Sequence, residues 1–280
     1  MRLQNDRLLL HLAPDVGAGV LAFESLAHGP LMAPSGGELG ASSFLMVPYS
    51  NRVADGAFTF HGRRVRLDEP ERHAIHGVVR KRPWEVVSAT ATAATLRYRH
   101  GGGAWPWPFL AEVDYALDGA SLVTRLRVRN LGDDRMPAGL GFHPYFVRED
   151  AVVGFRVAGI YPDAHGTRIP SGPASPPDPG RDFSTPRALD PDAFMDFCAH
   201  GWDGRATIAW PGRGIGLDVR SDLGHLVFYN PPAPWFALEP VSNANDGFNL
   251  FARGDATSGV RVLAPGEGTA GEMVLTLRAP

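Results

Sequence analysis

Segments in which apolar and polar residues alternate constrain this chain more than any other feature of its sequence. In residues 121–129, SLVTRLRVR, one set of alternate side chains is mostly apolar and the other carries three arginines. A period of two places the two sets on opposite faces of a β-strand. Residues 94–99, 215–219 and 273–277 show the same period. These segments therefore predict strands with one buried and one exposed face.

Two apolar segments, 225–229 and 235–239, are predicted to be more fully buried strands, separated by the turn-rich sequence NPPAP. Glycine (33 residues) and proline (25 residues) are spread along most of the chain, which favours many turns. We find no capped helical pattern of ten or more residues. The sequence thus predicts an all-β sandwich or barrel.

The organisation of the chain predicts a single domain over residues 1–280, because neither a repeat nor a second composition regime is present. The segment 162–191 is rich in Pro, Gly, Ser and Asp and has little periodicity. We predict that it is a long surface excursion or a loop that borders the functional site.

Charge and cysteine content argue against several classes of function. A formal net charge of −3 provides no field that would hold nucleic acid or an anionic membrane. The single cysteine, Cys198, precludes an internal disulfide and leaves a cysteine-based zinc site without enough ligands. Neither a secretory signal nor a segment of transmembrane length is apparent. We expect a cytoplasmic protein, a monomer or homodimer, that acts on a small molecule.

Two segments in the first third of the chain concentrate polar residues. Asn51 and Arg52 end the sequence PYSNR, and the guanidinium of Arg52 is suited to bind hydroxyls or a carboxylate. The alternative for Arg52 is a structural role opposite a buried acid. In HAIHG, His76 precedes a glycine that permits a sharp turn, and His73 is expected to be an ordinary loop residue.

Two later segments offer an acid and a base. His143 lies in GFHPYF, between aromatic neighbours that would fix its ring, and histidine suits proton transfer near neutral pH. Glu239 ends the apolar strand FALEP, where a carboxylate is costly unless it is paired, hydrogen-bonded or functional. The alternatives are a core histidine bonded to a carbonyl and an exposed glutamate at a strand edge.

A weaker candidate segment is DFCAHGWDG at 196–204. Asp196 or Asp203 could bind sugar hydroxyls while the ring of Trp202 covers a sugar face. For Asp203 the alternative is an Asx turn.

Taken together and in order, these segments resemble the aldose 1-epimerase (galactose mutarotase) family, and most closely its less characterised bacterial branch that carries the GWDGRA stretch. The resemblance covers almost the whole chain, and HPYF followed by LEP is its most specific part. The matching segments are Asn51-Arg52, Ile75-His76-Gly77, Arg82-Pro83-Trp84, WPWPF at 105–109, MPAGLGFHPYF at 136–146, GWDGRA at 201–206, LEPV at 238–241 and LAPGE at 263–267.

The resemblance implies a large antiparallel β-sandwich with a sugar site in a cleft on one concave sheet. His143 matches the general acid that protonates the ring oxygen, and Glu239 matches the base that takes the proton from the anomeric hydroxyl. Such chemistry requires no redox carrier, metal or phosphate-binding loop, and we expect no cofactor.

The same resemblance implies the residues that bind the sugar. Arg52 and His76 match binding residues of the family, with His76 near the ring oxygen. Asp196 matches the family's sugar-binding aspartate, although DFCAH reproduces the surrounding pattern only in part. We include Asn51, the neighbour of Arg52, among the binding residues.

Three alternatives remain at this point. His76, His143 and Glu239 could instead form a two-histidine, one-carboxylate iron site, although no H-x-H pair is present. The chain could be a non-catalytic carbohydrate-binding or sensor domain on the same fold. A hexose 6-phosphate could be the substrate if the basic residues of 80–82 (Arg80, Lys81 and Arg82) reach the cleft.

Overall fold

The fold consists almost entirely of antiparallel β-structure, with 50% of residues in strands and 5% in helices. The computed structural model describes residues 1–34, 40–67 and 72–279. The one α-helix of these ranges, α1, spans Gly247–Ala252, and 3-10 turns span Ala54–Gly56 and Pro211–Arg213. Across these ranges, no helix has the length and apolar character that crossing a membrane requires.

The strands described are, in chain order, β1 (Arg2–Gln4), β2 (Leu8–Ala13), β3 (Gly19–Ser25), β4 (Gly29–Pro30), β5 (Ser43–Met46), β6 (Arg52–Val53), β7 (Ala57–Phe60), β8 (Arg63–Arg66), β9 (Ala74–Ile75), β10 (Glu85–Ala89), β11 (Ala93–His100), β12 (Phe109–Asp118), β13 (Ser121–Asn130), β14 (Met136–Ala138), β15 (Gly141–Val147), β16 (Val152–Phe155), β17 (Gly159–Ile160), β18 (Arg187–Ala188), β19 (Met195–His200), β20 (Arg205–Trp210), β21 (Ile215–Ser221), β22 (His225–Asn230), β23 (Trp235–Val241), β24 (Arg261–Leu263) and β25 (Gly268–Arg278).

Two large sheets form the sandwich that the sequence predicts. One has ten strands in the order β1-β2-β3-β5-β15-β23-β22-β19-β17, with β4 paired to β3. The other has nine strands in the order β10-β11-β12-β13-β25-β21-β20-β16-β18. The pairs β6–β9, β7–β8 and β14–β24 form small two-stranded sheets.

The alternating segments are strands of the nine-stranded sheet, as predicted. Residues 121–129 lie in β13, where Leu122, Thr124 and Leu126 are buried against the other sheet. Arg127 on the outer face bonds Glu112 and Asp114 of β12. The alternation therefore separates a core face from a face of cross-strand ion pairs. Residues 94–99, 215–219 and 273–277 are likewise strands, in β11, β21 and β25.

The central strands of the ten-stranded sheet are buried on both faces, as predicted for 225–229 and 235–239. In β23, Phe236 and Leu238 belong to the main core between the two sheets. Their neighbours Ala237 and Val241 belong to a second apolar cluster on the opposite face. Glu239 has the same parity as these two residues, so its side chain lies on the face that carries the second cluster.

The segment 162–191 is a largely irregular excursion, as predicted. It contains the two-residue strand β18 and an isolated bridge from Ser175 to Ile160. Its first part also lies beside the functional cleft, because Arg168 bonds Asp196 of β19. Both parts of the prediction for this segment, a surface excursion and a border of the site, therefore apply.

Buried histidines should make the fold sensitive to mild acid. Burial lowers the pKa values of His76, His143 and His225 below their ordinary value of 6.5. The unfolded chain therefore binds more protons than the folded one below pH 6.5, and stability is lost as the pH falls through that value. We expect the free energy of unfolding, measured by urea titration, to fall by up to about 1.4 kcal/mol per histidine per pH unit there.

The variant His225→Gln should flatten this slope, because glutamine can replace the bond to the Thr257 carbonyl without titrating. The exposed His11 provides the control, since His11→Gln should leave the slope unchanged. If the slope is the same in wild type and His225→Gln, His225 does not contribute to the loss of stability in mild acid.

Candidate active site

His143 and Glu239 face each other on adjacent strands. The register of β15 against β23 pairs Gly141 with Val241 and Tyr145 with Ala237, which places His143 opposite Glu239. Their side chains meet at 3.3 Å between Nε2 and Oε1, and both are almost fully buried. The two residues predicted as acid and base are thus brought into direct contact by strand register alone.

Aromatic rings fix the imidazole of His143 from two sides. Phe44 on β5 is the cross-strand partner of His143, with 4.4 Å between ring centroids. Tyr145, two residues along β15 on the same face, lies at 4.5 Å. The ring is therefore held in one orientation, as the sequence GFHPYF suggested, and is preorganised for proton transfer.

Burial dominates the electrostatics of His143. It lowers the pKa of the imidazole to about 3, and the positive charges of Arg80 and Arg52 act in the same direction. A contact with its own backbone opposes this lowering. An imidazolium formed here is consequently a much stronger acid than an exposed one.

Asn51, Arg52 and His76 are placed together by the small sheet β6–β9. Arg52 pairs with Ile75, and the amide of His76 donates to the Asn51 carbonyl. Asn51 Oδ1 accepts hydrogen bonds from the backbone N–H and the guanidinium of Arg52. No carboxylate of the described ranges lies within ion-pair distance of Arg52, so the alternative of a structural pairing with a buried acid receives no support there.

His76 adopts an uncommon backbone conformation beside His143. Its φ is 63°, and its ring meets that of His143 edge-on at 5.0 Å between centroids. His76 Nδ1 lies 3.0 Å from Met46 Sδ. Burial, followed by the charges of His143, Arg80 and Arg52, lowers the pKa of His76 well below 6.5. The ring is therefore neutral at neutral pH.

These residues line one cavity of about 420 Å³ together with Asp196. Asp196 reaches it from β19, two strands beyond β23, and bonds Arg168 Nε through Oδ2 at 2.6 Å. Burial raises the pKa of Asp196, while Arg168 lowers it. All six residues predicted for the site, Asn51, Arg52, His76, His143, Asp196 and Glu239, therefore line the same cleft.

Three aromatic residues of the cleft were missed as site residues by the sequence reasoning. Tyr145, Tyr229 and Trp235 line the cavity, and Trp235 meets Tyr145 at 4.9 Å and Tyr229 at 5.8 Å between centroids. The period-two rule could have identified two of them, because Tyr145 shares a face with His143 and Trp235 with Glu239. Tyr229 becomes a neighbour through the pairing of β22 with β19 and β23.

The residues around 202–204 do not belong to this cleft. Trp202 is buried, with Nε1 donating to the Arg205 carbonyl, and the idea that its ring covers a sugar face is wrong. Asp203 accepts a hydrogen bond from the Arg205 amide, which is the Asx turn considered as its alternative. His73 is a loop residue that accepts a hydrogen bond from the Asp55 amide, as expected.

The basic residues Arg80, Lys81 and Arg82 line a neighbouring cavity of about 480 Å³ and are not among the lining residues described for the acid–base cleft.

Among the residues described, no three His, Cys, Asp or Glu side chains are grouped so that they could hold a metal ion. His76, His143 and Glu239 therefore do not form the iron site considered as an alternative.

A model of the aldose 1-epimerase family matches residues 1–276. The chain belongs to this family. Among curated relatives from Escherichia coli K12, the uncharacterised protein YphB is 29% identical over 243 residues, covering 81% of this chain and 82% of YphB. The uncharacterised protein YihR is 30% identical over 142 residues, covering 46% of this chain and 44% of its own.

Solved structures share the fold along the whole chain. A predicted aldose 1-epimerase from Escherichia coli K12 superposes with a TM-score of 0.89 at 25% identity, covering 100% of this chain and 98% of its own. A galactose mutarotase-like protein from Lactobacillus casei gives a TM-score of 0.83 at 16% identity, covering 99% of each chain. This aldose 1-epimerase family member thus has the family's sandwich.

Gly77 should be indispensable to the geometry beside His76. Its φ is +71°, and an added Cβ would lie 2.1 Å from the Val47 carbonyl oxygen. We expect Gly77→Ala to destabilise the fold by about 2–5 kcal/mol, the combined cost of left-handed strain and overpacking. The measurement is the free energy of unfolding in urea.

Gly62 provides a matched control for this variant. It has a similar φ of +79°, but an added Cβ would meet nothing within 4 Å. Gly62→Ala should therefore cost about 1–2 kcal/mol, through backbone strain alone. Equal losses in the two variants would show that the close approach of Gly77 to Val47 is unimportant.

Proposed function

We propose that this protein is an aldose 1-epimerase that interconverts the α and β anomers of a free aldose, with His143 as acid and Glu239 as base. The observation that carries the proposal is the contact between His143 Nε2 and Glu239 Oε1, 3.3 Å apart, inside a cleft lined by aromatic residues. The family of the chain supports the same activity.

The proposed reaction moves one proton to the sugar and one away from it. His143, as an imidazolium, protonates the ring oxygen while the carboxylate of Glu239 takes the proton of the anomeric hydroxyl. The bond from C1 to the ring oxygen breaks as the C1 carbonyl forms. Rotation about C1–C2 and reclosure with reversed proton transfers give the other anomer, so atoms and charge balance.

The closeness of the two side chains suits this reaction. The ring oxygen and the anomeric hydroxyl are both attached to C1, so the groups that serve them must also be near neighbours. Residues opposite each other on antiparallel strands have Cβ atoms about 5 Å apart. The low pKa of His143 favours proton donation to the weakly basic ring oxygen once the imidazolium has formed.

His76 and Arg52 have complementary roles in binding. A neutral His76 that directs Nδ1–H towards Met46 Sδ leaves Nε2 as an acceptor for a sugar hydroxyl. The guanidinium of Arg52 can only donate, and it is placed by its bond to Asn51 Oδ1. A sugar hydroxyl can therefore donate a hydrogen bond to His76 and accept one from Arg52.

An unphosphorylated aldose is the substrate that the cleft favours. Tyr145, Tyr229 and Trp235 offer apolar rings to the C–H faces of a sugar, and the polar groups match hydroxyls. Lys81 and Arg82, which would suit a phosphate, line the neighbouring cavity. Arg80 lines that cavity too and lies over Phe44, the ring that packs on His143. A second carboxylate, Asp196, lines the sugar cleft and would repel a phosphate nearby.

A catalytic role is favoured over sugar binding alone. Burying a histidine against a glutamate costs desolvation energy, and recognition of a neutral sugar requires neither group to ionise. Buried titratable groups that face each other in a cleft are characteristic of proton-transfer sites. The non-catalytic alternative predicts sugar binding without acceleration.

Replacing either member of the pair should abolish most of the acceleration. We expect His143→Asn and Glu239→Gln each to lower kcat/KM by about 10²–10⁴-fold, the usual contribution of a general acid or base. The measurement is polarimetry on freshly dissolved aldoses, with anomer exchange followed by NMR. Both variants keep a polar side chain of similar size, so folding should survive.

Surface variants of the same types serve as controls. The exposed residues His11 and Glu85 give His11→Gln and Glu85→Gln, which should retain wild-type rates. A wild-type protein that binds aldoses without accelerating exchange would favour the binding-domain alternative. Faster turnover of hexose 6-phosphates than of free aldoses would overturn the proposed substrate class.

A further inference from the structure

Arg168 connects the irregular excursion to the sugar cleft. Its Nε donates to Asp196 Oδ2 at 2.6 Å, and its Nη1 donates to Asp163 Oδ2 at 2.8 Å. The guanidinium also lies over the ring of Phe194, 5.4 Å from its centroid. One arginine is therefore held by two carboxylates and an aromatic ring.

The backbone around Arg168 is shaped to hold this side chain. Arg168 has a φ of 64°, which a non-glycine residue adopts at a cost and keeps only where its surroundings impose it. Asp163 accepts hydrogen bonds from the amides of Thr167 and Arg168, and Asn245 donates to the Arg168 carbonyl. The loop is thus closed on both sides of the arginine.

Arg168 acts on the cleft through Asp196. It is not among the lining residues described for the sugar cleft, whereas Asp196 is. Among the described residues, Arg168 is the hydrogen-bond donor to Asp196, and it engages Oδ2. The second carboxylate oxygen, Oδ1, accepts no hydrogen bond from the described part of the chain and remains an acceptor for a ligand hydroxyl.

Asp196 lies far from the reacting carbon. Two strands, β23 and β22, separate β15 from β19. At about 4.8 Å per strand, three steps separate β15 from β19 by about 14 Å. The register aligns Asp196 with Tyr145, two residues along β15 from His143, so a sugar ring can lie between the side chains of His143 and Asp196. A hydroxyl bound by Asp196 is therefore remote from C1.

We propose that Arg168 is a positioning residue that sets sugar specificity, by orienting Asp196 to accept a hydrogen bond from an uncharged hydroxyl remote from C1. This inference rests on the proposed function. Arg168, Asp163 and Asp196 together carry one net negative charge, so this end of the cleft disfavours sugars with a phosphate or carboxylate there.

The charged and titratable groups around Asp196 come from several elements. Burial raises the pKa of Asp196, and Arg168 is the largest influence that lowers it. The groups that act on it or respond to it are Arg168 and Asp163 of the excursion, Arg52 of β6, Cys198 of β19 and Tyr229 of β22. Without Arg168, Asp196 should take up a proton at higher pH.

The test compares Arg168→Met with wild type over a range of pH. Loss of the orienting bond should raise KM by about 10-fold, as for one charge-assisted hydrogen bond, with kcat changed less than about threefold. The pH below which KM rises should move upward in the variant. Arg168→Lys keeps the charge without the fork to both carboxylates, so its KM should fall between the two.

Arg187→Met is the matched control. Arg187 lies in the same excursion and bonds the carbonyls of Pro179 and Gly180, away from Asp196. The variant Arg187→Met should leave KM and the pH dependence of KM unchanged. If Arg168→Met raises KM no more than Arg187→Met does, the positioning role is wrong. If Arg168→Met fails to fold, Arg168→Lys provides the same comparison.

The pKa of Asp196, measured by ¹³C NMR of the carboxyl group, separates this inference from the proposed function. It should be higher in Arg168→Met than in wild type whether or not the protein accelerates anomer exchange. An unchanged pKa would overturn the role of Arg168. A raised pKa in a protein with no acceleration would leave the electrostatic role intact and reject the aldose 1-epimerase.

Discussion

The central strands of the ten-stranded sheet are buried on both faces, and the placement of His143 and Glu239 depends on this. One face of β15 and β23 packs in the main core, while the other carries the second apolar cluster. The side chains of His143 and Glu239 on that second face are almost fully buried and meet at 3.3 Å, so each changes the electrostatic surroundings of the other. Antiparallel register makes that contact, which means that this pair is positioned by backbone pairing between adjacent strands.

Several non-glycine residues with positive φ lie in chain segments beside the cleft. Asn51, His76, Arg168 and Asp246 all have positive φ, between 50° and 64°. Asn51, His76 and Arg168 line or support the cleft directly. The Asp246 amide donates to the Arg52 carbonyl, and Asp246 Oδ1 accepts from the Ala54 amide. The surrounding sheet is rigid enough to impose these conformations, which is the usual relation between a stable scaffold and a strained functional site.

Much of the fold could be predicted from the sequence, because period-two patterns report burial directly; β13 is the clearest example. The candidate acid–base pair came from the family resemblance that joined His143 and Glu239, because each segment alone also fitted a core histidine or an exposed glutamate. Arg168 could not be found, since it lies in a segment without periodicity and its partners are 5 and 28 residues away. Trp202 was misjudged because an aromatic beside an aspartate does not reveal whether its ring packs in the core, as it does here, or faces a cleft.

The two buried carboxylates of the cleft differ through their partners. Glu239 faces a histidine, a side chain that can either carry a proton or release it, so the pair is suited to the proposed proton transfers. Asp196 faces Arg168, whose guanidinium does not give up its proton, so this carboxylate is suited to remain a fixed acceptor. In the proposed reaction the carboxylate opposite histidine serves the chemistry and the carboxylate opposite arginine serves recognition, so the partner of each carboxylate determines its role.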